Sequence, residues 1–239
     1  MPSLEETLKR LAITFTVRDI MIPEKGLVCA GNEIAAAQVS KGNPDFNLIP
    51  IRQNGKLTGY FGRDSHATSQ IALGDLISDG TSLLDLVETF ADREFSFVLS
   101  HRQISGYVHY SDLNHHLLKL SFYVILEALE REVLSSIPRN DDRDYLSRNL
   151  DPRRFAQITR QYKRDGDAAR SLFNYLNISD ILRLAVKAGT IQMADDAIKA
   201  MKETRDDAAH ASENIVADYH AINRLAKVKR ECLRILGGA

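Results

Sequence analysis

Between residues 46 and 108 the chain writes the same apolar pattern twice. Phe46-Asn-Leu-Ile-Pro-Ile51 reads as a short strand, Asn54-Gly55 as a tight turn and Lys56-Leu-Thr-Gly-Tyr-Phe61 as the returning strand. Phe95-Ser-Phe-Val-Leu99, His101-Arg-Gln103 and Ile104-Ser-Gly-Tyr-Val108 repeat the design at an offset of 47. A helical stretch precedes each hairpin, Glu33–Val39 and Leu83–Phe90, and Thr81 or Ser82 stands where the second needs a cap. Val17-Arg-Asp-Ile-Met21 and Leu73-Gly-Asp-Leu-Ile77 lead into the two copies. An internal repeat of this kind predicts a pseudo-twofold α+β module.

After residue 116 the spacing changes from two to helical. Leu117, Leu120, Val124, Leu126, Leu129, Val133 and Leu134 predict one helix over 117–137, ended by Pro138 and the polar run after it. Asp151-Pro152 restarts a basic amphipathic helix over 152–164, with Asp as cap and Pro in the first turn. Short helices follow at 171–175 and 179–187, the latter stopped by Gly189. Thr190 is placed to cap a long helix to about Val216, and a last helix covers 218–236. Four or five helices with short links predict an antiparallel bundle. The expected division is an α+β part over 1–118 and an all-α part over 119–239.

The chain has 239 residues, a hydrophobic share of 44% and a net charge of −1, which excludes a polybasic coat or an acidic tail. The charge is uneven, −5 over residues 1–137 and +4 over 138–239, so the C-terminal part is the one suited to a polyanion. Cys29 and Cys232 lie far apart, without metal-ligand spacing, which argues against a disulfide framework and for a reducing compartment. No apolar run is long enough to span a bilayer, and Met1-Pro-Ser-Leu-Glu-Glu6 is acidic where a signal peptide is basic. The expectation is a cytoplasmic protein without membrane contact. His115-His116 are adjacent and so diverge on a helix, and no glycine-rich phosphate loop occurs.

Residues 14–118 resemble a tandem pair of CBS (cystathionine beta-synthase) domains, a Bateman module. Thr16-Val-Arg-Asp-Ile-Met-Ile-Pro23 is similar to the opening of such a domain, and the strand repeats carry the rest. The family's ligand motif is Gly, two apolar residues, Thr or Ser, two residues, then Asp; the hydroxyl and carboxylate bind a ribose. The second copy reads Gly106-Tyr-Val-His109-Tyr-Ser-Asp112, with the Asp kept and His109 in the Thr position. The first copy has Gly62 at the Thr position and Ser65 at the Asp position. A carboxylate suits a ribose diol because it accepts from both hydroxyls. The resemblance therefore implies an adenine nucleotide (AMP, ATP or S-adenosylmethionine) at Gly106, His109 and Asp112. Its counterpart reading is a pair kept only for folding and dimerisation.

Residues 119–236 resemble a HEPN ribonuclease domain. The residues that carry this are Arg205-Asp206-Asp-Ala-Ala-His210, the Arg-x4-His signature with a polar residue after Arg, together with an early helix holding Glu127 and Glu130. The resemblance implies metal-independent RNA cleavage, in which a 2′-hydroxyl attacks the adjacent phosphate and leaves a 2′,3′-cyclic phosphate. His210 is the expected general acid or base, Arg205 the phosphate clamp and Asp206 the residue that orients the imidazole. Arg205 and His210 lie about 140° apart on an ideal helix, so they do not share a face within one chain. Both families dimerise, and a homodimer would bring the motif of each subunit to one groove, with Arg183, Arg224 and Lys227 beside it for flanking phosphates. Some HEPN toxins carry a Tyr two residues after the His as a target of partner modification; Ser212 stands there instead.

The combined expectation is a ligand-regulated, homodimeric endoribonuclease suited to stress response or phage defence, with an antitoxin partner left open. The competing expectation is a non-catalytic regulatory dimer. In that case the CBS pair binds the nucleotide and the helical part binds RNA or a protein.

Overall fold

The two hairpins of the repeat fold in the same register. In the computed structural model, which describes residues 4–44, 46–137, 142–166, 171–210 and 214–237, the elements run as follows. They are α1 (Leu4–Thr14), β1 (Ile22–Pro23), α2 (Glu33–Gly42), β2 (Leu48–Gln53), β3 (Lys56–Gly62), β4 (Ala67–Gln70), β5 (Leu76–Ser78), α3 (Leu83–Thr89), β6 (Phe95–Ser100) and β7 (Gln103–His109). Helices α4 (His116–Ser136), α5 (Asp142–Asn149), α6 (Pro152–Asp165), α7 (Ile178–Lys187), α8 (Asp195–Ala209) and α9 (Tyr219–Gly237) follow. A mixed-sheet N-terminal region is thus succeeded by a helical one.

The sheets have the orders β2-β3-β4 and β1-β7-β6-β5. Ile51 pairs Gly59 and Val98 pairs Gly106, and each pair is followed by a bulge, between Ile51/Arg52 and Val98/Leu99. Both turns hold a non-glycine residue at positive φ, Asn54 at 51° and His101 at 54°. Even the isolated bridge Ala30–Ile51 is matched by Ile77–Val98 in the ladder of β5 with β6. All of these correspondences keep the offset of 47.

Alternation along each strand sends one set of side chains to the helices and the other to the facing sheet. Ile49, Ile51 and Phe61 are buried with Ala30 and Ala36 to form the core under α2. The opposite face carries Tyr60, whose ring lies 5.1 Å from Phe95 and 5.9 Å from Phe97, so the two sheets meet through aromatic edges. Ser82 caps α3 by accepting from the Asp85 N–H, and Asn32 does the same for α2.

The chain divides into Ala12–His115 and a second unit of Met1–Leu11 with His116–Ala239. The boundary expected after residue 118 lies at 115 in this division, and the described residues 4–11 group with the helical unit. In that unit α8 packs against α4, α7 and α9, around buried Phe122, Ile125, Leu129, Leu182, Met201 and Leu225.

Several boundaries differ from the sequence reading. The long helix expected over 190–216 is shorter, because α8 begins after Ala194 and ends at Ala209, where His210 turns extended with ψ 115°. Thr190 is no cap; its hydroxyl donates to the Ala185 carbonyl. The stretch 171–175 is a 3₁₀ turn capped by Ser171, and Asn177 caps α7. Helices α1 and α5 and strand β4 were not expected. Pro138 and Ser212 lie outside the described residues.

Candidate functional site

Aspartate recurs at one local motif of the N-terminal unit. Asp19, Asp75 and Asp112 each sit third in a 3₁₀ turn and accept the backbone N–H of the residue before it, at 2.7, 2.8 and 2.8 Å. In the first copy Ser65 replaces this carboxylate; its hydroxyl donates to the Gly62 carbonyl, and the chain turns into β4. Asp112 differs from the other two in lining a cavity.

That cavity has a volume of about 270 Å³. Its apolar wall includes Ile22, Val28, Phe46, Leu48 and Pro50, and its polar side includes Asn47, Tyr107, His109, Ser111 and Asp112. Burial raises the Asp112 carboxyl above the ordinary carboxylate range, opposed by the His109 N–H. Burial lowers His109, opposed by the charge of Asp112. A neutral His109 accepts the Ser111 N–H at Nδ1, 3.3 Å away, so its proton is on Nε2, which is buried without a hydrogen-bond partner. Its ring packs on Tyr110 at 4.3 Å.

The wall was not visible in the sequence motif. Shifted by 47, Leu48 and Pro50 become Phe95 and Phe97, whose rings pack on Tyr60 and Tyr107. The equivalent wall positions in the other half therefore carry aromatic rings, and Ser65 stands in place of the carboxylate. Gly106 does not line the cavity. A Cβ there would stand 2.6 Å from the Ile22 carbonyl, so the bare Cα is what admits β1 beside β7. Gly59 plays the same part for β4, with 2.6 Å to the Ser69 carbonyl.

The second candidate group is the C-terminal end of α8. Arg205 is half-buried and its guanidinium lies 5.8 Å from the Tyr123 ring centroid. It is also the main opposing charge to the desolvation that raises Glu130, so its charge is felt at α4. His210 is exposed, its N–H donating to the Asp206 carbonyl at 3.2 Å and its carbonyl accepting from Lys119 Nζ at 3.0 Å. Asp206 does not hold the imidazole by its side chain, which pairs with Lys202 at 2.8 Å. The three motif residues share one end of α8, but the Arg205 and Asp206 side chains turn to different partners, Tyr123 and Lys202.

Two of the basic residues expected to flank the motif are neutralised at close range. Arg224 is ion-paired with Asp207 and lies 3.6 Å from Glu203, and Lys227 pairs with Asp196 at 2.5 Å. Arg183 keeps only a loose, exposed contact with Asp195 at 3.6 Å. Burial pushes the Cys232 thiol up to about 12 and raises Cys29 as well, so neither is an activated nucleophile. Among the described residues no helix is long and apolar enough to cross a membrane. No family model, curated protein or solved structure matches the chain.

Proposed function

We propose that this protein is a nucleotide-responsive endoribonuclease that acts as a homodimer. The cavity beside Asp112 takes the nucleoside of an adenine nucleotide. The base lies against Ile22, Val28 and Phe46, and the ribose hydroxyls donate to the carboxylate. His210 and Arg205 of two subunits cut RNA at a shared groove, the imidazole moving the proton and the guanidinium holding the phosphate. The 2′-oxygen attacks phosphorus and the 5′-oxygen of the next nucleotide leaves, taking a proton, so a 2′,3′-cyclic phosphate remains.

The observation that carries this reading is the placement of His210. It stands just past the end of α8, exposed to solvent, with its backbone pinned by Lys119 from α4. An imidazole there is reachable by a substrate and by a second subunit.

The test is cleavage of mixed RNA in EDTA. Wild type is expected to generate cyclic-phosphate ends, and His210→Ala or Arg205→Ala to lose at least about 100-fold in rate. Equal background in all three contradicts the reading.

One observation favours the non-catalytic alternative: the Arg205 guanidinium is turned towards Tyr123. A structural Arg205 predicts that Arg205→Ala lowers the melting temperature while RNA cleavage is absent throughout. Nucleotide binding at Asp112 would persist.

A further inference from the structure

Helix α6 has one wholly basic and amide-bearing face. Arg153, Gln157, Arg160 and Arg164 recur at i, i+4, i+7 and i+11, within about 60° of one another at 100° per residue. The opposite face carries Phe155, Ile158 and Tyr162, of which Ile158 is fully buried. Two further features fix this helix. Asp151 caps it by accepting the Arg153 and Arg154 N–H groups, and Arg154 reaches Asp180 of α7 at 2.7 Å and the Tyr175 carbonyl at 3.2 Å. The inward arginine is therefore consumed as an anchor, and the three outward ones are held on a rigid scaffold.

Those three line an open hollow of about 680 Å³ with Gln157 and Gln161, and the only carboxylate there among the described residues is the cap Asp151. A second hollow of about 470 Å³ shares Asp151, Arg154 and Gln157 and continues along α7, past Asp180 held by Arg154, to Arg183. Arg153 to Arg164 spans about 16 Å at 1.5 Å per residue, room for several consecutive phosphates.

We infer that this face of α6, continuing to Arg183, is a docking track for the backbone of single-stranded RNA; the inference rests on RNA being the substrate class proposed above. Planar guanidinium forks match phosphate oxygens, and the interleaved glutamines give neutral donors to ribose and base edges. A folded acidic protein would need carboxylates at the same spacing. An extended polynucleotide supplies a charge at every unit without a matching fold. The track also places the affinity away from Arg224 and Lys227, whose charges are already spent on α8 carboxylates.

The test uses the full chain carrying His210→Ala and a fluorescent 12-nucleotide oligouridylate. Arg153→Gln/Arg160→Gln/Arg164→Gln is expected to weaken binding at least about tenfold and to make the log affinity against log salt shallower by about 2, from 0.7 per lost contact. Lys41→Gln/Lys56→Gln/Arg102→Gln, which removes equal exposed charge from the other unit, is expected to leave both unchanged. Equal losses in the two triple variants overturn the inference, as does absence of binding by the parent chain. Polyglutamate competing as well as RNA also overturns it and assigns the face to an acidic protein. Wild-type cleavage without an effect of the α6 triple sinks the track alone. Binding through α6 without any cleavage sinks the nuclease reading alone.

Discussion

Asp112 and His109 both sit where burial opposes their charged forms. For Asp112 the folded pKa is raised, so its favourable contribution is complete below the ordinary value near 3.8 and is lost as pH rises through the folded value. Above that window the buried carboxyl is thus a cost to folding. Asp112→Asn keeps an acceptor for the His109 N–H and removes the buried charge. It is expected to melt higher than wild type at pH 7, with the gap closing towards pH 4, and to lose nucleotide binding by calorimetry. A lower melting temperature at pH 7 contradicts this account of the cavity. For His109 the folded pKa is lowered, so its contribution is present above about 6.5 and is lost as pH falls from there to the folded value. His109→Gln removes that segment of the pH profile.

Among the elements, the two glycines Gly59 and Gly106 admit an edge strand beside each hairpin, β4 and β1. Each would place a Cβ 2.6 Å from a carbonyl oxygen that belongs to backbone and so cannot swing aside. Gly59→Ala and Gly106→Ala are each expected to cost about 1–3 kcal/mol, read by urea unfolding. A neutral effect at either would mean that the strand is not held there. The hairpins were legible in the sequence because one face of each strand must be apolar, and a repeat at 47 doubles that signal. Strand β4 was not, since Ala67-Thr-Ser-Gln70 is wholly exposed and offers no alternation. Helix α5 escaped for a similar reason: Leu146 is its one buried side chain. The end of α8 was missed because Ala208-Ala209 favour continuing a helix. The contact that accompanies its end, Lys119 on the His210 carbonyl, joins residues 91 apart. The site was legible only in part. The spacing from His109 to Asp112 and from Arg205 to His210 marks residues of the right chemistry. The apolar wall of the cavity comes from Phe46 and Val28, remote from the motif, and the ion pairs that neutralise Arg224 and Lys227 span 17 and 31 residues.

The Ala12–His115 unit holds the cavity beside Asp112, and the helical unit holds the exposed imidazole of His210. One half of the sheet repeat keeps the carboxylate beside a hollow while the other carries Ser65 and aromatic wall positions, so the proposed nucleotide binding is expected at one per chain. In the proposed RNA site the docking arginines lie on α6 and the proton-moving group is His210, at the end of α8. The Arg205 guanidinium lies 5.8 Å from the Tyr123 ring centroid, and the proposed groove is one formed between two copies of the chain. A second copy of the chain is proposed to complete the groove, and the most direct measurement is a mixed-dimer assay. Arg205→Ala and His210→Ala chains, each inactive alone, are co-refolded and assayed on RNA in EDTA. Recovery of cyclic-phosphate product in the mixture, in proportion to the heterodimer formed, is the predicted result. A mixture that forms heterodimers and stays at the background of its parents, while wild type cuts, contradicts it.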